Sequence, residues 1–163
     1  MRRKDREITD MIEIINILKN CNTLRIAMNG ENYPYMVPVS FGLEVINDTL
    51  TLYFHCAKEG TKLDHIHGNA NVCFESDIFL GYEKTARGIT TRYRSVIGFG
   101  RCILVEDSNE ILYGMCSITS HCGFSDYPVD NCPELQHTNI YKIEVDSITG
   151  KNNLPAGLKE RND

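Results

Sequence analysis

A mainly β fold, an antiparallel barrel closed or nearly closed and carrying a few helices, is what this sequence predicts, and three observations predict it. Short runs rich in β-branched and aromatic residues follow one another with turn residues between them, Asn29-Gly30 and Asn47-Asp48 among these. A long run from Tyr93 to Glu106 contains Gly98 and Gly100, where a strand bends sharply or another backbone comes close. Helical patterns are too few to supply the crossovers that a parallel sheet needs.

Taken in order, Ile8, Met11, Ile12, Ile15 and Leu18 recur at helical spacing and predict an amphipathic first helix over about Ile8 to Lys19. The period then shortens. Thr23 to Met28, Tyr35 to Leu43 and Thr49 to Cys56 read as three strands of a meander, joined at Asn29-Gly30 and Asn47-Asp48. A polar stretch from Lys62 to His67 predicts a short helix, followed by strands at Asn71 to Glu75 and Tyr93 to Glu106. Asp107, Ser108 or Asn109 is placed to cap a helix from about Glu110 to Ser120. His121 to Thr138, with Pro128 and Pro133, reads as an irregular loop. Asn139 to Val145 closes the barrel as its sixth strand, and Ile148 to Asp163 reads as an exposed tail.

The 163 residues, 42% of them hydrophobic, suit a single domain spanning 1–163 with a sizeable core. A net charge of -5 argues against a nucleic-acid or anionic-membrane surface, both of which reward clustered Lys and Arg. No apolar run approaches the roughly 20 residues that cross a bilayer. The polar start from Arg2 to Glu7 offers no signal-peptide core, so a cytoplasmic protein is expected. Seven cysteines, an odd count without a Cys-x-x-Cys pair, are expected to be reduced and mostly buried.

The segment Tyr53 to Asp64 carries the strongest functional signal, because a strand gives way there to a polar turn and then a helix. Gly60 lets the backbone approach a ligand, Thr61 is placed as N-cap with Asp64 three residues on, and Lys62 adds a cation where helix amides already favour anions. That pattern suits a phosphorylated small molecule; an ordinary surface helix with a solvated lysine is the plainer reading. His55, at the strand end, is a phosphate donor or a structural histidine. Val37, Pro38, Val39 and Ser40 form a strand whose proline cannot pair in a sheet interior, which leaves backbone groups for a ligand or merely marks an edge. In Thr91-Arg92-Tyr93-Arg94 both arginines share one face, as a cationic strip or a solvated one, while Tyr93 faces the other way. Cys116, His121, Cys122, Cys132 and His137 lack the short ligand spacings of structural zinc sites, so no metal is expected.

Several segments, in their order and spacing, resemble the pyridoxamine 5′-phosphate oxidase-like flavoproteins, and within them the nitroimidazole-resistance group. These are Tyr33-Pro34-Tyr35-Met36-Val37-Pro38-Val39-Ser40-Phe41-Gly42, Tyr53 to Ala57 with Gly60-Thr61-Lys62, Tyr93 to Gly100, and Ile148-Thr149-Gly150-Lys151. The resemblance implies a six-stranded FMN-binding split barrel that works as a homodimer with FMN at the subunit interface. It places the flavin ring against Val37 to Phe41 and the phosphate by His55, Gly60, Thr61 and Lys62. Tyr93, Arg94 and Ser95 would complete the site, from the partner subunit if not from the same one. The implied activity is transfer of electrons from NADH or NADPH to a small aromatic acceptor such as a nitro compound, with no acid-base residue of the protein required. A flavin carrier or sensor without turnover, and a haem-binding split barrel, are the alternatives. Asp77 to Arg92 and Cys116 to Cys132 carry no matching motif, so the substrate is not indicated.

Overall fold

A computed structural model describes residues 2–46 and 49–155. Its sheet has eight strands: β1 (Glu7–Ile8), β2 (Leu24–Met28), β3 (Tyr35–Val39), β4 (Gly42–Ile46), β5 (Thr49–Ala57), β6 (Asn71–Thr85), β7 (Gly88–Leu104) and β8 (Thr138–Asn152). Three helices accompany them, α1 (Met11–Lys19), α2 (Thr61–Gly68) and α3 (Ser108–His121). All pairings are antiparallel, in the order β3-β2-β6-β7-β8-β5-β4, and β1 adds to β8.

That order forces closure. β3 and β4 are the two end strands, yet only Ser40 and Phe41 separate them in sequence. Seven strands laid flat would put the ends about 29 Å apart, whereas the three Cα steps from Val39 to Gly42 span at most about 11 Å. The sheet therefore curls until its rims meet. The expected meander is corrected here: Tyr35 to Leu43 is two strands, one paired with β2 and the other with β5. No turn residue announces the break at Ser40, so the run reads as continuous.

Other boundaries move for local reasons. The Asp10 side chain accepts from the Ile12 amide at 3.0 Å and starts α1 at Met11, so Ile8 falls in β1 beside Gly150. The helix consequently buries Ile14, Ile17 and Leu18, and leaves Met11 and Ile12 outward, unlike the face the spacing predicts. Gly30 does not adopt positive φ; a Cβ there would lie 2.1 Å from the Tyr33 carbonyl oxygen, so close approach is what it permits. The expected turn at Asn47-Asp48 lies outside the described residues. β6 and β7 extend well past Glu75 and before Tyr93, making Phe79 to Thr91 the arm of a long hairpin. The expected tail is also corrected: Ile148 to Asn152 completes β8, paired with β7 on one side and β1 on the other. The two strand glycines act as the sequence indicates. A Cβ on Gly98 would lie 2.2 Å from the Phe74 ring, and the β7–β8 register shifts between Phe99 and Gly100.

The barrel interior is filled by Leu24, Ile26, Leu52, Phe54, Phe74, Val96, Tyr141 and Ile143, with α1 closing one end. α3 covers the outer face of β5 through Tyr53, Val105, Ile118 and Ile140. Its start is fixed by Asp107, whose carboxylate accepts from the Asn109 and Glu110 amides at 3.0 and 2.9 Å. Asp107→Ala should cost about 1 kcal/mol, lowering Tm by roughly 2–4 °C in a calorimetric scan.

Cys21 and Cys102 are buried, Cys56, Cys73 and Cys132 half-buried, and Cys116 and Cys122 exposed on α3 or at its end. All seven are free thiols. No described helix is long and apolar enough to cross a membrane.

Candidate functional site

The corner between β5 and α2 is built by Gly60 at φ 129°, a left-handed conformation that suits glycine, with nothing within 4 Å of a would-be Cβ. Gly60, not Thr61, is the N-cap; Thr61 is the first helical residue, and no side chain caps this end. The Gly60 carbonyl accepts from Leu63 and Asp64, at 2.8 and 3.3 Å. The amides of Thr61 and Lys62 thus open the helix without an intrahelical acceptor, beside the exposed Thr61 side chain. Lys62 is half-buried, its ammonium 5.5 Å from the centroid of Phe54, and among the described residues it makes no ion pair with a carboxylate. Phe54 in turn stacks on Tyr141 at 5.7 Å, which fixes the floor beneath that cation. The corner therefore offers two amides, a hydroxyl and a supported positive charge, a donor set for a dianion.

His55 projects from the same strand end. Desolvation first, then the Lys62 ammonium, holds its pKa below the ordinary imidazole value. A depressed histidine pKa means that the fold favours the neutral ring. The resulting stability is present above the unfolded value, about 6.5, and is lost as pH falls toward the folded one. A Tm profile from pH 8 to 5 should drop below that value, and His55→Gln should flatten part of the drop. Burial pushes the Cys102 thiol up to about 12 and raises Cys56 as well, against the opposing pull of the Lys62 ammonium, so neither is a ready thiolate.

The Val37 to Ser40 strand meets this corner at the seam of the barrel. β4 pairs with β5 as far as Gly42 and Tyr53, two residues short of Ser40 and His55, and beyond that point β3 parts from β5. β3 is an end strand, as Pro38 indicates, and Pro38 stands opposite Arg25. α2 leans on β3 through Tyr35 and His65, whose rings are 5.0 Å apart. Val37, Pro38, Val39, Ser40, His55, Gly60, Thr61 and Lys62 are thus brought together along one seam.

Tyr93, Arg94 and Ser95 are not. Arg94 pairs with Asn152 at one end of β8, whereas His55 pairs with Ile140 at the other. Twelve residues of strand separate those levels, roughly 40 Å of contour. Arg92 is held by Glu83 at 2.8 Å, and the Lys151 ammonium lies 5.7 Å from the Tyr93 ring. The Arg92 to Ser95 region therefore stands at the opposite end of β8 from the level of the β5–α2 corner.

Beside the seam runs an open groove of about 720 Å³ between the 29–35 link and α2, lined by Asn29, Tyr33, Tyr35, Asp64, His65 and Asn69. Sequence reasoning missed it. The signal available was Tyr33-Pro34-Tyr35, aromatic residues directly ahead of the ligand strand, but nothing local shows that His65 stands across from them. Of the remaining histidines, His121 lies 2.8 Å from the Cys21 carbonyl oxygen through Nε2, and His67 lies 3.4 Å from the Tyr141 hydroxyl.

Among solved structures, a candidate 5-nitroimidazole antibiotic resistance protein from Bacteroides thetaiotaomicron is 28% identical. It matches with a TM-score of 0.74 over 89% of this chain and 85% of its own. A flavocytochrome from Azotobacter vinelandii shares the fold with a TM-score of 0.78 at 15% identity, over 95% of this chain and 72% of its own. An FAD- and haem-binding protein from Mycobacterium smegmatis does so with a TM-score of 0.76 at 16% identity, over 92% and 74%. No curated protein matches the sequence. The profile of the pyridoxamine 5′-phosphate oxidase family matches residues 10–152, which contain the whole seam and seven of the eight strands. With that match and the split-barrel architecture in place, the chain belongs to the pyridoxamine 5′-phosphate oxidase family.

Proposed function

We propose that the protein is an FMN-binding oxidoreductase that moves electrons from NADH or NADPH to a small aromatic acceptor of the nitroimidazole kind. It would act as a homodimer with FMN at the subunit interface. The observation that carries this reading is the β5–α2 corner, an uncapped helix start with open space at Gly60 and a lysine free of carboxylates. Those donors fit the phosphate of FMN. When bound, FMN supplies the two-electron chemistry. The chain's own work is to grip the phosphate with Thr61 and Lys62, to present the open backbone edge of Val37 to Ser40 to the ring, and to leave the Tyr33–His65 groove for the acceptor.

Two features support the dimer. Phe79, Leu80, Tyr82 and Ile89 stand 50–80% exposed on the hairpin arm, an apolar surface that a lone protomer would leave in water. Tyr93 to Ser95 stand at the other end of β8 from their own seam, which suits a role at a second one in a homodimer. The relative from Bacteroides supports the choice of acceptor.

The test is the absorption spectrum of the purified protein, with bands expected at about 370 and 450 nm. Steady-state oxidation of NADH and NADPH with a nitroaromatic acceptor follows. A flavin spectrum without turnover would mark a carrier, a Soret band would mark a haem protein, and a monomer with flavin bound, seen by light scattering, would remove the interface.

A further inference from the structure

The groove beside the seam is acidic where the β5–α2 corner is basic. Its lining includes two carboxylates, Glu31 from the 29–35 link and Asp64 from α2, one on each wall, and neither lysine nor arginine. The walls converge on His65, whose ring is 5.0 Å from that of Tyr35 and whose Cε1 would lie 3.5 Å from a Cβ on Gly30. Among the described residues neither carboxylate forms an ion pair. Lys62 precedes Asp64 by two residues on α2, a spacing that puts the two side chains on different faces of the helix, and its ammonium sits over Phe54 instead. Tyr33, on the wall that carries Glu31, is 82% exposed. A phenol ring left that open beside Tyr35 gives a planar ligand a face to stack on, and such faces attract cations as carboxylates do.

Taking the groove as the acceptor's place, as proposed above, we infer that Glu31 and Asp64 set its charge selectivity: it takes aromatic ligands that are neutral or cationic and rejects anionic ones. Tyr33 and Tyr35 supply the stacking surface. A nitrogen heterocycle that carries a proton is attracted by both walls, and a ring bearing a carboxylate or sulfonate is repelled by both. The diphosphate of NADH or NADPH meets the same repulsion, so the electron donor gains no affinity from these walls. Both carboxylates are exposed, so water and salt weaken each contribution and the selectivity is several-fold.

Three probes that share a nitrobenzene ring test the charge: 4-nitrobenzyltrimethylammonium, 4-nitrobenzyl alcohol and 4-nitrobenzoate, titrated calorimetrically into the full chain as purified, at low salt and without NADH. The cation should bind about fivefold tighter than the alcohol, and the benzoate about fivefold weaker. Asp64→Asn and Glu31→Gln should each narrow that spread, and the double variant should bring the three within about twofold of one another, as should high salt. Tyr33→Leu should weaken all three and keep their order. All three positions are exposed, and an unchanged Tm confirms that the variants fold. Equal affinities, an order that survives the double variant, or no binding of any probe would overturn the assignment. The titration does not depend on turnover. A charge order without flavin-dependent turnover leaves the groove assignment in place and removes the oxidoreductase reading, whereas turnover with no charge order does the reverse.

Discussion

Lys62→Glu is expected to give a folded protein that no longer holds FMN. On the proposed reading the wild-type ammonium makes a charge-assisted contact worth about 1.5–3 kcal/mol, and a carboxylate in its place would repel the phosphate. A loss of about 3 kcal/mol corresponds to roughly a hundredfold in Kd. Fluorescence titration of the apoprotein with FMN reads this directly, and Lys62→Gln should fall between the two. The fold should tolerate the change within about 1 kcal/mol. The Phe54 contact is lost, but a carboxylate at the second position of α2 suits the positive end of a helix. An unchanged Kd in the Glu variant would end the phosphate assignment and the flavin reading that rests on it.

Gly42→Ala should produce a large loss of stability from a single added methyl group. A Cβ at this position would lie 2.4 Å from the Ser117 carbonyl carbon, 2.5 Å from the Ile118 nitrogen and 2.5 Å from Ser117 Oγ. Two of those atoms are helix backbone, which cannot swing aside as a side chain can. Either α3 lifts from the sheet, exposing Tyr53 and Ile118, or β4 loses its pairing with Tyr53. Overpacking of this kind costs about 3 kcal/mol, or roughly 6–12 °C in Tm for a chain of this size. Gly68→Ala is the control, because an added Cβ there meets nothing within 4 Å and its Tm should stay close to wild type.

Much of the barrel was legible in the sequence, because inward and outward residues alternate cleanly in Leu24 to Met28 and in Val96 to Cys102. The break at Ser40 was not, since the residues on either side are β-formers and the division exists only because two distant strands compete for them. The Phe79 to Thr91 arm escaped notice because none of its residues is buried, so its sequence carries no apolar alternation. Ile148 to Asn152 read as tail for a related reason: its fully buried residues are a glycine and an asparagine, and only Ile148 adds an apolar side chain to the core. At the site, Gly60 and Lys62 were evident from residue type and spacing. The expected Thr61 cap was not realised, as Gly60 takes the cap position and leaves the hydroxyl outward. The separation of Tyr93 to Ser95 from the corner depends on strand lengths that no local pattern contains.

The placement of β8 has a consequence for synthesis. It is the last of the described strands in chain order, yet it sits in the interior of the sheet, hydrogen-bonded to β7 on one side and to β5 and β1 on the other. A nascent chain that has not yet released residue 152 from the ribosome holds two incomplete sheets, β3-β2-β6-β7 and β4-β5, each with a long raw edge. Assembly must therefore wait until residue 152 has emerged from the ribosome, and a chaperone that shields strand edges has its greatest effect on yield in that interval.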